Sequence, residues 1–328
     1  YLFPVLAVSH RRYLVGCFVA AVIAGASIAL FNWVVDPAGV FGHSPDGIYV
    51  FSERPYKMVQ VRTYPHRVLL VGSSKSAAFD PATLKQPRVY NASFAVAMPE
   101  ETLAFIEQRG RDAEIVLIGL DFYMFRGDAS TLKRNITLSV EGFPATAKYL
   151  FSLPMFLDAV QHLFLFAIGR PPLIAPNGHW NLWGREELER APWEVLDRRR
   201  MVMNKLRSDH FADGEFATAR LDVLHRMREL LEKRGQAYRV FINPLEACVL
   251  KMLAGLPSHA QFERFRKEIR TVFPDVLDYS VSAYSAPRNF YRFDPYHYKT
   301  NVATMLIRDV LDGRPPKPPT SETAKCSN

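Results

Sequence analysis

The fold is decided by Arg67-Val-Leu-Leu-Val-Gly-Ser-Ser-Lys-Ser76. Val68 to Val71 is an unbroken run of branched apolar residues, the pattern of a parallel strand buried on both faces. The run stops at Gly72-Ser73-Ser74, and Lys75 to Phe79 can begin a helix. A strand that turns sharply into a helix leaves a small polar residue at the carboxyl edge of a sheet, where open α/β folds bind ligands. A serine there exposes its hydroxyl, and nearby backbone N–H groups can face a developing anion.

Working outward, Arg88 to Phe94 reads as a second short strand. Pro99 to Arg109 reads as a helix with Glu100 and Glu101 in its first turn. Glu114 to Phe122 is an apolar third strand. Strand, helix and strand with short links predict a parallel sheet with crossover helices. Thr218 to Arg234 sets Leu221, Leu224, Met227, Leu230 and Leu231 at helical spacing, and Gly235 stops it. Tyr238 to Pro244 predicts a fourth strand, Ala260 to Val272 a helix and Val276 to Tyr279 a fifth strand. Tyr291 to Lys299 reads as a loop and Thr300 to Leu311 as a closing helix. The expected fold class is α/β: a three-layer α/β/α, flavodoxin-like domain over residues 67–312, with a mostly parallel sheet of about five strands.

Residues 123–215 read as an irregular insertion. Tyr149 to Ile168 is apolar but broken by Pro154, Asp158 and His162. A helix packed on the domain is expected, with contact to a bilayer surface as the alternative. Pro171, Pro172 and Pro176 predict an extended link, and Asn177-Gly178-His179-Trp180 a turn. Trp180, Trp183 and Trp193 would anchor the insertion or stack on sugar rings.

Ahead of the domain, His10-Arg11-Arg12 precedes Tyr13 to Val35, a run without formal charge and long enough to cross a bilayer. Asn32 is its only amide, and Tyr13 and Trp33 sit near its two ends, as interfacial aromatics do. A signal peptide would have a shorter apolar core and a small-x-small cleavage site. Residues 1–36 are therefore expected to be one N-terminal transmembrane anchor, with 37–66 a connector. The arginines place the N-terminus in the cytoplasm and the rest outside, which is the periplasm if the source is a Gram-negative bacterium. The chain does not open with Met, so its natural start is expected to lie upstream.

With 328 residues, 48% of them hydrophobic and 23% charged, the chain is excluded from the disordered class. Its net charge of +8 comes without any basic run interleaved with aromatics, so no nucleic-acid partner is expected. Cys17, Cys248 and Cys326 show no spacing that suggests a metal site or a disulfide framework. The tail, 313–328, is rich in Pro, Lys, Ser and Thr and is expected to be disordered.

The second chemical group is Asp294-Pro295-Tyr296-His297. Acid and base stand three residues apart, and Pro295 holds Asp294 extended. The carboxylate can then meet imidazole Nδ1 while Nε2 points elsewhere. A serine nucleophile needs such a base, and the base needs such an orienting acid.

Gly-x-Ser-x-Ser after the first strand, with Asp-x-x-His near the C-terminus, resembles the SGNH/GDSL hydrolase superfamily. It resembles most its membrane-anchored, extracytoplasmic branch of the DltD, AlgJ and AlgX type. The resemblance implies Ser74 as nucleophile, with Ser73 in the preceding acid's position, His297 as base and Asp294 as its partner. The second family block falls in Asn91 to Ala97, where Ser93 or a main-chain N–H near Val96 would replace the usual glycine. Asn91 joins that group. The third block reads Gly119-Leu120-Asp121, with a carboxylate where an amide should donate, so Asp121 would position a sugar hydroxyl or cap a loop.

The function implied is that of a serine esterase or O-acyltransferase, acting on a cell-surface or exported polysaccharide through a Ser-His-Asp triad. O-acetyl is the expected acyl group. The implied partners are an acylated polysaccharide or acyl donor, the bilayer and a membrane-bound O-acyltransferase. No metal or organic cofactor is required. One alternative is a catalytically inactive polysaccharide-binding or scaffold protein of a membrane complex. Another is a phosphate-binding module cradling an anion on Gly72 to Ser76, but it lacks a longer glycine-rich loop and a Walker lysine.

Overall fold

The computed structural model describes residues 10–44, 46–50, 52–127, 143–181, 189, 192–320 and 326. The first helix, α1 (His10–Val35), is long and apolar enough to cross a membrane. Its exit is tied off by Asp36, whose carboxylate accepts from the N–H groups of Val40, Phe41 and His43 at 2.7, 2.9 and 3.0 Å. A short helix, α2 (Glu53–Gln60), then leads into β1 (Val68–Val71) and the one-turn α3 (Ser74–Ala77). Next come β2 (Val89–Asn91), α4 (Pro99–Arg109) and β3 (Ile115–Leu120).

Two helices follow, α5 (Phe143–Leu150) and α6 (Leu153–Ala167), and then α7 (Pro192–Lys205) and α8 (Ala219–Lys233). The remainder is β4 (Ala237–Ile242), α9 (Ala247–Ala254), α10 (His259–Val272) and β5 (Leu277–Asp278). A small hairpin of β6 (Phe290–Tyr291) and β7 (Asp294–Tyr298) precedes α11 (Thr300–Asp312).

The sheet has five strands in the order β2-β1-β3-β4-β5, every neighbouring pair parallel. The all-apolar β1 lies between β2 and β3 and is buried on both faces, as its unbroken run demands. Alternate residues separate the two layers. Leu69, Val71, Val116 and Ile118 pack with Leu103 and Ile106 of α4, Leu224 and Met227 of α8, and Phe265 of α10. Val68, Leu70 and Leu117 face Val302, Leu306, Ile307 and Val310 of α11. Helices thus cover both faces, giving three layers.

The structure departs from the sequence expectations in four places. Helix α6 packs on α1 and not on the sheet, with the Phe31 and Phe156 rings 5.0 Å apart. The 291–299 segment is a two-stranded hairpin closed by β7, not an open loop. Cys248 and Cys326, 78 positions apart, form a disulfide, which no local spacing could announce. Of the tail, residues 313–320 follow a defined path: Tyr279 donates to the Arg314 carbonyl at 2.7 Å, and Ala283 N–H to that of Lys317 at 2.9 Å. Trp183 lies outside the described residues.

Candidate active site at the carboxyl edge of the sheet

The nucleophile candidate is set by the turn after β1. Gly72 is required there, because a Cβ would come within 2.9 Å of Ser76 Oγ and 3.0 Å of the Gly119 carbonyl. Ser73 is extended and caps α3, its hydroxyl accepting from Lys75 N–H at 3.1 Å. Ser74 therefore opens the helix, at the carboxyl edge of β1.

The hairpin after β5 supplies the partners. Asp294 Oδ1 accepts from the N–H groups of Tyr296 and His297 at 3.2 and 3.3 Å, closing a tight turn around Pro295. Its other oxygen, Oδ2, lies 2.8 Å from His297 Nδ1. His297 Nε2 lies 2.9 Å from Ser74 Oγ. The structure brings these three residues, 223 positions apart at their extremes, into one hydrogen-bonded line. Acceptance from Nδ1–H fixes the tautomer that leaves Nε2 free to take a proton.

Behind Ser74 lies a second set of groups that the sequence did not single out as a unit. Lys75 is fully buried, and its ammonium lies 3.2 Å from Asp121 Oδ1, donates to the Pro244 carbonyl at 3.1 Å, and sits 4.1 Å from the centre of the Tyr296 ring. Burial pushes the Lys75 ammonium below its usual range, while Asp121 pulls it back up. The other oxygen of Asp121 accepts from Ser73 Oγ and from Asn243 Nδ2, the latter at 3.1 Å. Asn243 Oδ1 in turn accepts from Tyr298 at 2.9 Å. Ser73, Asp121 and Asn243 each follow a strand, β1, β3 and β4, so the parallel register itself lines them up. His210 packs beside them, its ring 4.9 Å from that of Tyr296, and burial pushes its imidazole down to about 4. The one sequence signal for Asn243 was its place just after an apolar strand.

Three expected site residues are employed differently. Asp121 is an acceptor throughout, as a carboxylate must be, and serves as counter-ion to Lys75 in place of an oxyanion donor. Asn91, fully buried, uses its amide on the carbonyls of Ser76 and Phe79 at 2.9 and 2.8 Å, tying off the end of α3. Ser93 is also fully buried, and its carbonyl accepts from Lys57 Nζ. Neither side chain is placed to meet a substrate, because both face the protein interior.

The loop carrying Ser93 runs alongside the nucleophile turn, with Phe94 N–H donating to the Gly72 carbonyl at 2.9 Å. Helix α2 clamps this loop. Glu53 accepts from Ala95 N–H at 2.6 Å, and Arg54 donates to the Ala95 carbonyl at 3.0 Å and to Glu101 at 2.7 Å. Burial raises the Glu53 carboxyl above its usual range and lowers the Lys57 ammonium to about 8. At the loop's tip, Val96 holds φ at +52° and is half exposed. A β-branched residue is strained there, and glycine would fit without strain. Among the described residues, neither the Val96 N–H nor that of Ser74 is engaged by a backbone carbonyl.

Comparison with protein-family models and with curated proteins returned no match for this chain.

Proposed function

We propose that this protein is a membrane-anchored, extracytoplasmic serine esterase or O-acyltransferase of the SGNH type, acting on acyl esters of a cell-surface or exported polysaccharide. The observation that carries the reading is the line Ser74–His297–Asp294, with its contacts of 2.9 and 2.8 Å. These distances are what a nucleophile, its base and an orienting acid need.

The chemistry runs in two steps. His297 Nε2 takes the Ser74 proton as the oxygen attacks the ester carbonyl carbon. The resulting oxyanion would be met by backbone N–H groups at Ser74 and in the 91–97 loop, that of Val96 being the candidate because no backbone carbonyl engages it. His297 then returns the proton to the departing alkoxide, leaving the acyl group on Ser74. Water or a sugar hydroxyl repeats the sequence, losing its proton to His297 and taking the acyl group. Asp294 keeps Nδ1 protonated and stabilises the imidazolium. Location outside the cytoplasm is supported by Arg11 and Arg12 in the first turn of α1, ahead of its uncharged run, and by the Cys248–Cys326 disulfide, a bond that persists in oxidising compartments.

A fluorophosphonate serine probe on the full-length protein tests this. Labelling that is lost in Ser74→Ala and kept in Ser73→Ala supports the triad. Absence of labelling in the folded wild type turns the reading to a polysaccharide-binding or scaffold protein, the alternative that Asp121, a non-donor, favours.

A further inference from the structure

We propose that α5 and α6 form a hairpin inserted into the outer leaflet of the bilayer beside α1, so that the domain contacts lipid acyl chains at a second place. The inference rests on α1 being the membrane span of the function proposed above.

The apolar surface of α6 is too large and too continuous for a water-facing helix. Phe151, Leu153, Leu157, Phe164, Phe166 and Ile168 are each more than half exposed, at 53–61%. Asp158 is the only formal charge between 153 and 168. A soluble helix carries a polar face opposite its packed one, and a contiguous apolar patch of this kind marks a contact surface.

The occupant follows from position. The surface is continuous with that of α1, which exposes Val22, Ile23, Leu30 and Val34. Heights along α1 calibrate how far the hairpin reaches. The Phe151 ring lies against Gly25, so that a Cβ on Gly25 would be 3.8 Å from it. The Phe156 ring packs against that of Phe31 at a tilt of 49°. At the other end of α6, Leu163 and Phe166 line a cavity of about 260 Å³ together with Val34 and Val35. Gly25 and Val35 are ten positions apart, about 15 Å of helix, which is about half of a hydrocarbon core of about 30 Å. A side chain level with Gly25 is therefore deep in one leaflet whenever α1 spans.

The turn of the hairpin also meets the main requirement of lipid, that backbone carbonyls at helix ends find donors inside the protein. Asn32, the lone amide of the span, is fully buried and donates to the carbonyls of Leu150 and Ser152 at 2.8 and 3.0 Å. The Leu150 carbonyl is one freed where α5 ends, while that of Ser152, which caps α6, also accepts from Phe156 N–H at 3.1 Å.

Nitroxide depth measurement on the full-length protein in phosphatidylcholine–phosphatidylglycerol vesicles tests the proposal. The background is Cys17→Ser with the disulfide kept. Labels go at Phe151→Cys, Leu157→Cys and Phe164→Cys, each more than half exposed. Val22→Cys on α1 and Asp222→Cys on the exposed face of α8 are the references. Phe151 and Leu157 are expected to show the high oxygen and low nickel-chelate accessibility of Val22, with Phe164 between them and Asp222. Aqueous accessibility at all three hairpin sites, with Val22 in lipid, overturns the hairpin and leaves the anchor standing. Shielding from both reagents also overturns it, because a protein partner then covers α6. Aqueous accessibility at Val22 as well removes the anchor and the hairpin together.

Discussion

At the carboxyl edge of the sheet, Lys75 and Asp121 are charged groups shut away from water, while in α6 Leu157 and Phe164 are hydrocarbon turned outward. The two regions invert the ordinary partition of a soluble protein, and each is made tolerable by its partners. Lys75 has a carboxylate, a carbonyl and an aromatic face. The hairpin has α1 on one side and, as we propose, acyl chains on the other. The edge therefore depends on pairing, where loss of one member strands another, and the hairpin depends on area, where loss of one side chain is absorbed.

Breaking the triad should give the largest effect. Ser74→Ala and His297→Ala are each expected to lower the rate of ester turnover by about 10⁴–10⁶, nearly equally, because the pair acts as a unit. Asp294→Asn should lose up to about 10⁴, since it leaves the imidazole in place in the wrong tautomer. Steady-state hydrolysis of an activated acetyl ester, with circular dichroism to confirm folding, reads all three. A His297→Ala protein as active as wild type would remove the base from the mechanism.

Asp121→Asn probes the pairing behind the nucleophile. It leaves the Lys75 ammonium buried without its counter-ion, a loss of about 3–5 kcal/mol of stability. Combining it with Lys75→Met should restore much of that. Chemical denaturation of the single and double variants checks this. An Asp121→Asn protein that is as stable as wild type and faster in turnover would show that position 121 works as an oxyanion donor after all.

The clamp of α2 on the Ser93–Val96 loop adds a pH dependence. Lys57 titrates near 8 when folded, against 10.5 as a free side chain. Between these values the unfolded chain binds a proton that the folded chain has released, so stability rises with pH across that window by up to about 3 kcal/mol. Below pH 8 both states are protonated and the contribution is flat. Thermal melts from pH 8 to 10 should show this rise in the wild type and a smaller one in Lys57→Met.

In the hairpin, Asn32→Leu should cost about 1–3 kcal/mol by leaving the Leu150 carbonyl without its side-chain donor and Ser152 with only the Phe156 N–H, whereas Leu157→Ala on the outward face should cost under 1 kcal/mol. Thermal stability in detergent separates the two. The smallest change is expected for Val96→Gly, which relieves a left-handed backbone and should alter stability by no more than about 1 kcal/mol. A loss of several kcal/mol there would mean that the Val96 side chain packs on something in the folded state.

What could be read from the sequence was what is encoded locally. The run Val68–Val71 and the turn Gly72-Ser73-Ser74 announce a strand end, and Asp294 and His297 sit within one turn of chain. The coupling of Lys75, Asp121 and Asn243 was not legible, because it depends on how β1, β3 and β4 are set in register. Asn91 and Ser93 have the right chemistry in the right segment, but their orientation depends on which way the chain leaves β2. The disulfide hides for a similar reason, its cysteines being neighbours in space alone. The apolar stretch around α6 was visible, but its packing on α1 was not, because that contact joins residues far apart in the chain, Phe31 and Phe156 among them.

Asn32 makes α1 more than a leash. Its amide closes the hairpin turn, Phe31 packs against Phe156, and Tyr149 reaches across to the Asp36 carboxylate at 3.1 Å. Beyond α6 the chain continues to the back of the nucleophile turn, where Trp180 N–H donates to the Ala77 carbonyl at 3.0 Å. Severing the chain after Val35 would thus not release a water-soluble domain. It would uncover the apolar flank of α6, and the liberated fragment would aggregate or stay bound to vesicles. If the anchor and hairpin sit in lipid as proposed, shedding by proteolysis is closed to this architecture, and Ser74 would stay near the membrane, within reach only of esters that come close to it.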